Sequence, residues 1–236
     1  MKKYNNFLRE KYKKNYIKSS SLKFLNNLTS QIIYYYRIKF YNIFKEKVNY
    51  KKNSTILDIG TTPVLNNFEN ILLHLYPWKN KITCFSNQNC SVLKKYFNGI
   101  KIIQGDARVK RINKKYDIVF SNATIEHVGN TQSQIRFLKN LNHLSKKFIF
   151  VVTPNRFFPI EFHTKLILIN LLPTLIFRKI LKFFGDNFFS LEENLNLLSY
   201  KRLSYICSRA NIKKFNIIRF KIFFFTSHLI LFVKKN

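Results

Sequence analysis

Two acid–histidine pairs stand out in this chain: Glu126 and His127 in N-A-T-I-E-H-V-G, and Glu161 and His163 in P-I-E-F-H-T. A carboxylate beside an imidazole can move a proton near neutral pH, because an unperturbed histidine titrates there and the acid can fix its orientation. His127 is the first candidate for a general base, with Glu126 to orient it, and Glu161 with His163 forms the second pair. For each the bland alternative is a structural histidine under a loop or an acid that opens a helix. Asn155 and Arg156, in T-P-N-R, precede the second pair, and a guanidinium there suits an anionic substrate group. Glu192, Glu193 and Asn194 form a further polar rim, for which helix capping is the simpler role. His74, His143 and His228 have no partner pattern, and no two histidines are spaced as ligands on one helix face, so no metal is expected.

Elements that could position these groups follow from the apolar pattern. Short apolar runs at 55–59, 81–85, 100–103, 116–121 and 148–152 read as strands, separated by helical segments at 65–76, 91–97 and 132–144. Strands alternating with helices imply a mainly parallel, doubly wound α/β sheet with right-handed crossovers. Two closing runs, 215–225 and 229–233, suit an antiparallel hairpin at the sheet edge, which makes seven strands, with a helix expected over 203–210. Residues 1–52 form a basic, aromatic arm with no glycine or proline, helical over 22–48, ahead of a domain over 53–236. Within that domain, 157–200 interrupts the rhythm and is expected as a helical insertion covering the active site.

Ligands of open parallel sheets bind beyond the carboxyl ends of the strands. Asp58 and Gly60, in I-L-D-I-G-T-T-P-V, stand there after the first strand, followed by Thr61. A dinucleotide would ask for G-x-G-x-x-G to cradle its pyrophosphate, but Thr61, Thr62 and Pro63 occupy the places of further glycines. S-adenosylmethionine carries an amine, a carboxylate and a sulfonium but no phosphate, and one close backbone approach with a nearby carboxylate suits it better. Asp106 and Ala107, in Q-G-D-A-R after the third strand, could meet adenine. Asn122, at the end of Y-D-I-V-F-S-N, would lie under the cofactor.

Taken together, these motifs resemble the class I S-adenosylmethionine-dependent methyltransferases, in the methyltransferase type 11-like subgroup where an E-H pair follows the fourth strand. The runs V-T-P-N-R-F-F-P-I-E-F-H-T (152–164) and E-E-N-L-N-L-L (192–198) resemble a bacterial group of small methyltransferases, some of which occur beside glycan genes. The resemblance spans about 53–234 and implies a Rossmann-like fold and S-adenosyl-L-methionine as cofactor but no known substrate; the expected reaction is methyl transfer to oxygen on a small molecule or glycan that could be lipid-linked. Where class I members carry an acid after the second strand for the ribose, this chain reads F-S-N-Q-N, leaving Asn87 or Gln88. A neutral amide binds a hydroxyl less strongly than a carboxylate.

Composition bounds the rest. Hydrophobic residues make up 46% of 236, enough for a packed core. The net charge of +31 attracts anionic partners. It is spread along the chain, and the abundance of Lys, Asn, Ile, Phe and Tyr, all with A/T-rich codons, points to nucleotide bias as its origin. RNA methylation or RNA binding remains a rival reading, although S-N-A-T at 121–124 lacks the Asn-Pro-Pro-Tyr type motif of base-modifying enzymes. A non-catalytic protein with a decayed pocket is the other rival. Three cysteines, Cys84, Cys90 and Cys207, with no C-x-x-C pair, suggest neither a disulfide framework nor a zinc knuckle. The expected setting is cytoplasmic, with peripheral contact to an anionic membrane offered by the apolar and basic stretch 157–185. That stretch is too short and interrupted to span a bilayer.

Overall fold

The computed structural model describes residues 23–65, 69–109, 112–164 and 166–235, with side chains from residue 34 onward. The expected arm's residues 1–22, and the side chains of Phe24, Leu25, Leu28 and Ile32, lie outside the described residues. Helix α1 (Lys23–Val48) leads into β1 (Ile56–Ile59), α2 (Ile71–Leu75), β2 (Ile82–Ser86), β3 (Lys101–Gln104) and β4 (Tyr116–Asn122). After these come α3 (Thr131–Leu144), β5 (Ser145–Pro154), α4 (Thr174–Phe183), α5 (Tyr200–Arg209), β6 (Asn216–Ile222) and β7 (Phe225–Lys234). The seven strands form one sheet in the order β3-β2-β1-β4-β5-β7-β6. The first five run parallel, and β7 pairs antiparallel with both β5 and β6. This is the Rossmann-like sheet with a terminal hairpin that the β/α rhythm predicts.

Central strands buried on both faces need apolar residues at successive positions, and this sequence supplies them. Leu57, Val119, Ile149, Val151, Leu229 and Leu231 face one layer, where α3 contributes Phe137, Leu138 and Leu141 and α5 contributes Leu203 and Ile206. The alternate residues Ile56, Phe120, Phe150, Val152 and Ile230 face the other, covered by Phe40, Tyr41, Phe44 and Val48 of α1 and Ile71–Leu73 of α2. Phe44 is fully buried, with its ring edge-on to Phe120 and Phe150 at 5.2 and 5.3 Å. Side-chain caps start two helices: Asn130 accepts from the Ser133 amide ahead of α3, and Ser199 from the Arg202 amide ahead of α5. All three cysteines are buried and free.

Three segments differ from expectation. Among the described residues of the helix expected over 65–76, Ile71–Leu75 are helical, with Leu65, Glu69 and Asn70 outside the helix. The Asn70 side chain accepts from the Thr62 amide and donates to the carbonyls of Thr62 and Val64, so it braces the preceding loop. Such side-chain-to-backbone bonding competes with helix. Residues Ser91–Lys95 form a 3₁₀ turn where an α-helix was expected over 91–97. The stretch 157–185, expected to be helical after Pro159, is mostly turns until α4. Asn170, buried, donates to the carbonyls of Arg156 and Phe158 and holds these turns together.

Candidate functional site

Strand order reverses direction between β1 and β4, the switch point beyond whose carboxyl ends open α/β sheets bind their ligands. The parallel register sets Asp58 beside Phe120 and Ile59 beside Ser121, so Gly60 and Asn122 follow side by side. Asp58 is 5% exposed, and burial pushes its carboxyl up to about 7, opposed by a hydrogen bond from the Thr61 hydroxyl at 3.2 Å. Gly60 adopts φ 94°, and a Cβ there would lie 1.9 Å from Thr124 Oγ1. Its lack of a side chain is therefore required by the chain's own packing. Thr124 itself donates to the Ile59 carbonyl at 3.3 Å, which ties the loop after β4 to the end of β1.

The flank on β2 and β3 is more open. Asn87 is exposed just past β2, where its carbonyl receives the Gln104 amide at 3.4 Å. Asp106 lies past β3, and the Arg108 guanidinium grips both its oxygens, with Nε at 3.0 and 2.9 Å. That hydrogen-bonded ion pair lowers the Asp106 carboxyl below its ordinary value. Arg108 also donates to the Val128 carbonyl, so it spans from the β3 loop to the β4 loop. The Ala107 carbonyl accepts from Asn140 of α3. Arg108, two residues on in D-A-R, is thus a partner of Asp106 within the chain that the sequence reading did not take into account.

Beyond β4, a 3₁₀ turn (Ile125–His127) carries the first acid–histidine pair. Glu126 is fully buried; its Oε2 accepts from Thr153 Oγ1 at 2.9 Å, while its Oε1 has no hydrogen-bond partner among the described residues. Burial raises its carboxyl above the ordinary range. His127 keeps 31% of its side chain exposed. Its Nδ1 meets the Asn194 carbonyl at 2.6 Å, and its Nε2 meets His163 Nε2 at 3.0 Å. Burial, followed by the neighbouring His163, lowers His127 to about 4.

His163 arrives from the long loop after β5, where the E-F-H-T run braces itself. Glu161 Oε2 accepts from the His163 amide, and its Oε1 meets His163 Nδ1 at 2.7 Å. Burial alone would raise Glu161, but the adjoining His163 outweighs it and brings the carboxyl down to about 2. Burial likewise opposes charge on His163, and the Glu161 carboxylate more than compensates, raising it. The two pairs that the sequence shows separately are thus one cluster, Glu126–His127–His163–Glu161.

The E-E-N-L-N-L-L run supports this cluster and caps no helix. Asn194 holds His127, the Asn196 amide donates to the Glu126 carbonyl at 2.7 Å, and Asn196 Nδ2 donates to the Gly129 carbonyl. Gln134 of α3 donates to the carbonyls of both Ile125 and Asn196, a clamp that sequence reasoning missed. Asn155 and Arg156 are occupied structurally. Asn155 Nδ2 donates to the Thr226 carbonyl, and Arg156 donates to Thr174 Oγ1 and the Leu172 carbonyl, each at 2.8 Å. Asn155 also lines a separate cleft of about 430 Å³ with Phe157, Tyr200 and Arg219.

No protein-family model and no curated protein matches the chain. Solved structures do. An S-adenosylmethionine-dependent methyltransferase from Clostridium acetobutylicum superposes with TM-score 0.56 at 11% identity, over 85% of this chain and 91% of that one. The N-methyltransferase NodS from Bradyrhizobium japonicum, solved with S-adenosyl-L-homocysteine, gives 0.51 at 8% identity, over 84% and 86%. The methyltransferase SibL gives 0.52 at 11% over 78% of this chain, which spans only 51% of SibL. At such identities the likeness establishes the architecture: this chain has the Rossmann-like fold that S-adenosylmethionine-dependent methyltransferases share.

Proposed function

We propose that the chain is an S-adenosyl-L-methionine-dependent methyltransferase whose acceptor is a small molecule or glycan, methylated at oxygen. The observation that carries this reading is the buried Asp58 carboxyl at the switch point, one strand from Asn122. The residues fit the cofactor chemically. A dry carboxyl suits an ammonium group, and a loop without a glycine-rich anion cradle suits a ligand without phosphate. Asp58, Gly60, Thr61 and Asn122 would hold the methionyl end, Asn87 the ribose, and Asp106 with Ala107 the adenine. The bound cofactor would supply an electrophilic methyl group. NodS, which shares the fold, holds the demethylated product of that cofactor.

The chain's own contribution is positioning and proton handling. The acceptor side falls to the cluster beyond β4 and β5. A proton leaving an acceptor hydroxyl would pass to the His127–His163 pair, whose orientation Asn194 and Glu161 fix. Asn155 and Arg156 shape the acceptor side by holding the loop after β5. Calorimetric titration with S-adenosyl-L-homocysteine tests the reading: the parent should bind one equivalent, and Asp58→Ala should lose at least tenfold in affinity while keeping its circular dichroism. Absence of binding at millimolar ligand by folded protein removes the proposal.

A further inference from the structure

His127 Nε2 and His163 Nε2 meet at 3.0 Å, a separation that a shared proton or a shared cation can bridge. A carbonyl can only accept, so the Asn194 oxygen fixes the proton of His127 on Nδ1 and leaves a lone pair on Nε2. The Glu161 carboxylate likewise draws a proton to His163 Nδ1. With His163 neutral, two imidazole lone pairs face each other at 3.0 Å, and either a proton on His163 Nε2 or a bound cation joins them. A third donor, Glu126 Oε1, stands 4.0 Å from His127 Nε2, fully buried and without a hydrogen-bond partner among the described residues. All three atoms lie within 4.8 Å of one another.

We propose that Glu126 Oε1, His127 Nε2 and His163 Nε2 bind a divalent transition-metal ion. Metal–nitrogen bonds of about 2.0–2.1 Å that end on atoms 3.0 Å apart meet at roughly a right angle. The carboxylate closes the third side by a small rotation of its side chain. Both imidazoles carry the outer partner that ligating histidines characteristically have: a carboxylate on His163 and a backbone carbonyl on His127. Two imidazoles and one carboxylate suit zinc, cobalt, iron or manganese and not magnesium or calcium, which prefer all-oxygen sites. Glu126 and Glu161 are both buried, at 0% and 1% exposure, and a cation held between Glu126 and the two histidines would face carboxyl groups on both sides. His127 retains its exposed edge, so three protein ligands leave positions open to water or an acceptor, as in catalytic metal sites.

The metal site does not depend on the methyltransferase reading. It does exclude the proton relay, because ligated Nε2 atoms accept no proton, and the methyl-transfer reading stands with either arrangement. The test uses full-length protein stripped with chelator and titrated separately with zinc, cobalt and manganese chlorides, by calorimetry and, for cobalt, by visible absorption. One tight equivalent is expected for at least one ion. His163→Ala and the near-isosteric Glu126→Gln should each weaken it by at least a hundredfold, and Glu161→Gln by about ten- to a hundredfold. Thermal melting and circular dichroism identify any variant that has failed to fold, in which case the Glu126→Gln result decides. The proposal is overturned if the folded parent shows no saturable binding of any of the three ions, or if folded Glu126→Gln binds as tightly as the parent. Homocysteine-ligand binding, measured on the same samples, reports separately on the switch point.

Discussion

At the scale of single residues, Asp58 makes the sharpest prediction. Burial raises its carboxyl from an ordinary value of 3.8 to about 7, so the folded chain holds a proton there that the unfolded chain has released. The stability tied to that proton is complete below the unfolded value, declines as pH rises, and is lost as pH passes about 7. Asp58→Asn, which cannot ionise, should therefore gain stability relative to the parent between pH 5 and pH 8, on the order of 1–4 kcal/mol. Urea unfolding of both proteins across that range measures it, and parallel curves would show that Asp58 does not titrate as described. Asp58 and Gly60 were legible in the sequence as D-x-G after a strand. The reason Gly60 must be glycine was not, because Thr124 reaches it from another loop.

At the scale of elements, α1 is part of the domain's packing. Its residues Phe40, Tyr41, Phe44 and Val48 form one buried stripe over β4 and β5, at the spacing of a helix face. Phe44→Ala removes a fully buried ring and should cost about 3–5 kcal/mol. Chemical denaturation checks this, and a loss under 1 kcal/mol would mean that the helix is not seated as described. The strands were readable because a sheet buried on both faces demands continuous apolar runs. The helix expected over 65–76 misled because its apolar spacing is helical while Asn70 spends its side chain on the loop before it. In α4, Phe177 and Leu181 pack inward against Leu195 and Leu197, while Leu175 and Phe183 are 77% and 85% exposed.

At the scale of the molecule, charge and exposed apolar groups act together. No described helix is long and apolar enough to cross a membrane. With a net charge of +31, the chain should adsorb to phosphatidylserine vesicles at low salt and leave them as salt screens the attraction. If α4 also inserts its apolar side, Leu175→Ser with Phe183→Ser should lower partitioning at least tenfold at fixed charge. Vesicle sedimentation measures both effects. Equal partitioning of the double variant would leave charge as the whole of the attraction.

The sequence by itself determined the sheet, its parallel core, the closing hairpin and the loops that carry polar groups. These follow from local periodicity and from the small number of ways such elements can pack. Tertiary structure alone decided which polar groups meet. His127 and His163 stand 36 residues apart and touch, and Asn194 reaches His127 across 67 residues. Arg108 takes up Asp106, and Asn155 and Arg156 turn to the framework. Such pairings depend on where separate loops end in space, and hydrophobic patterning carries no information about that: it records which side of an element is buried, not which side chains face one another beyond its end.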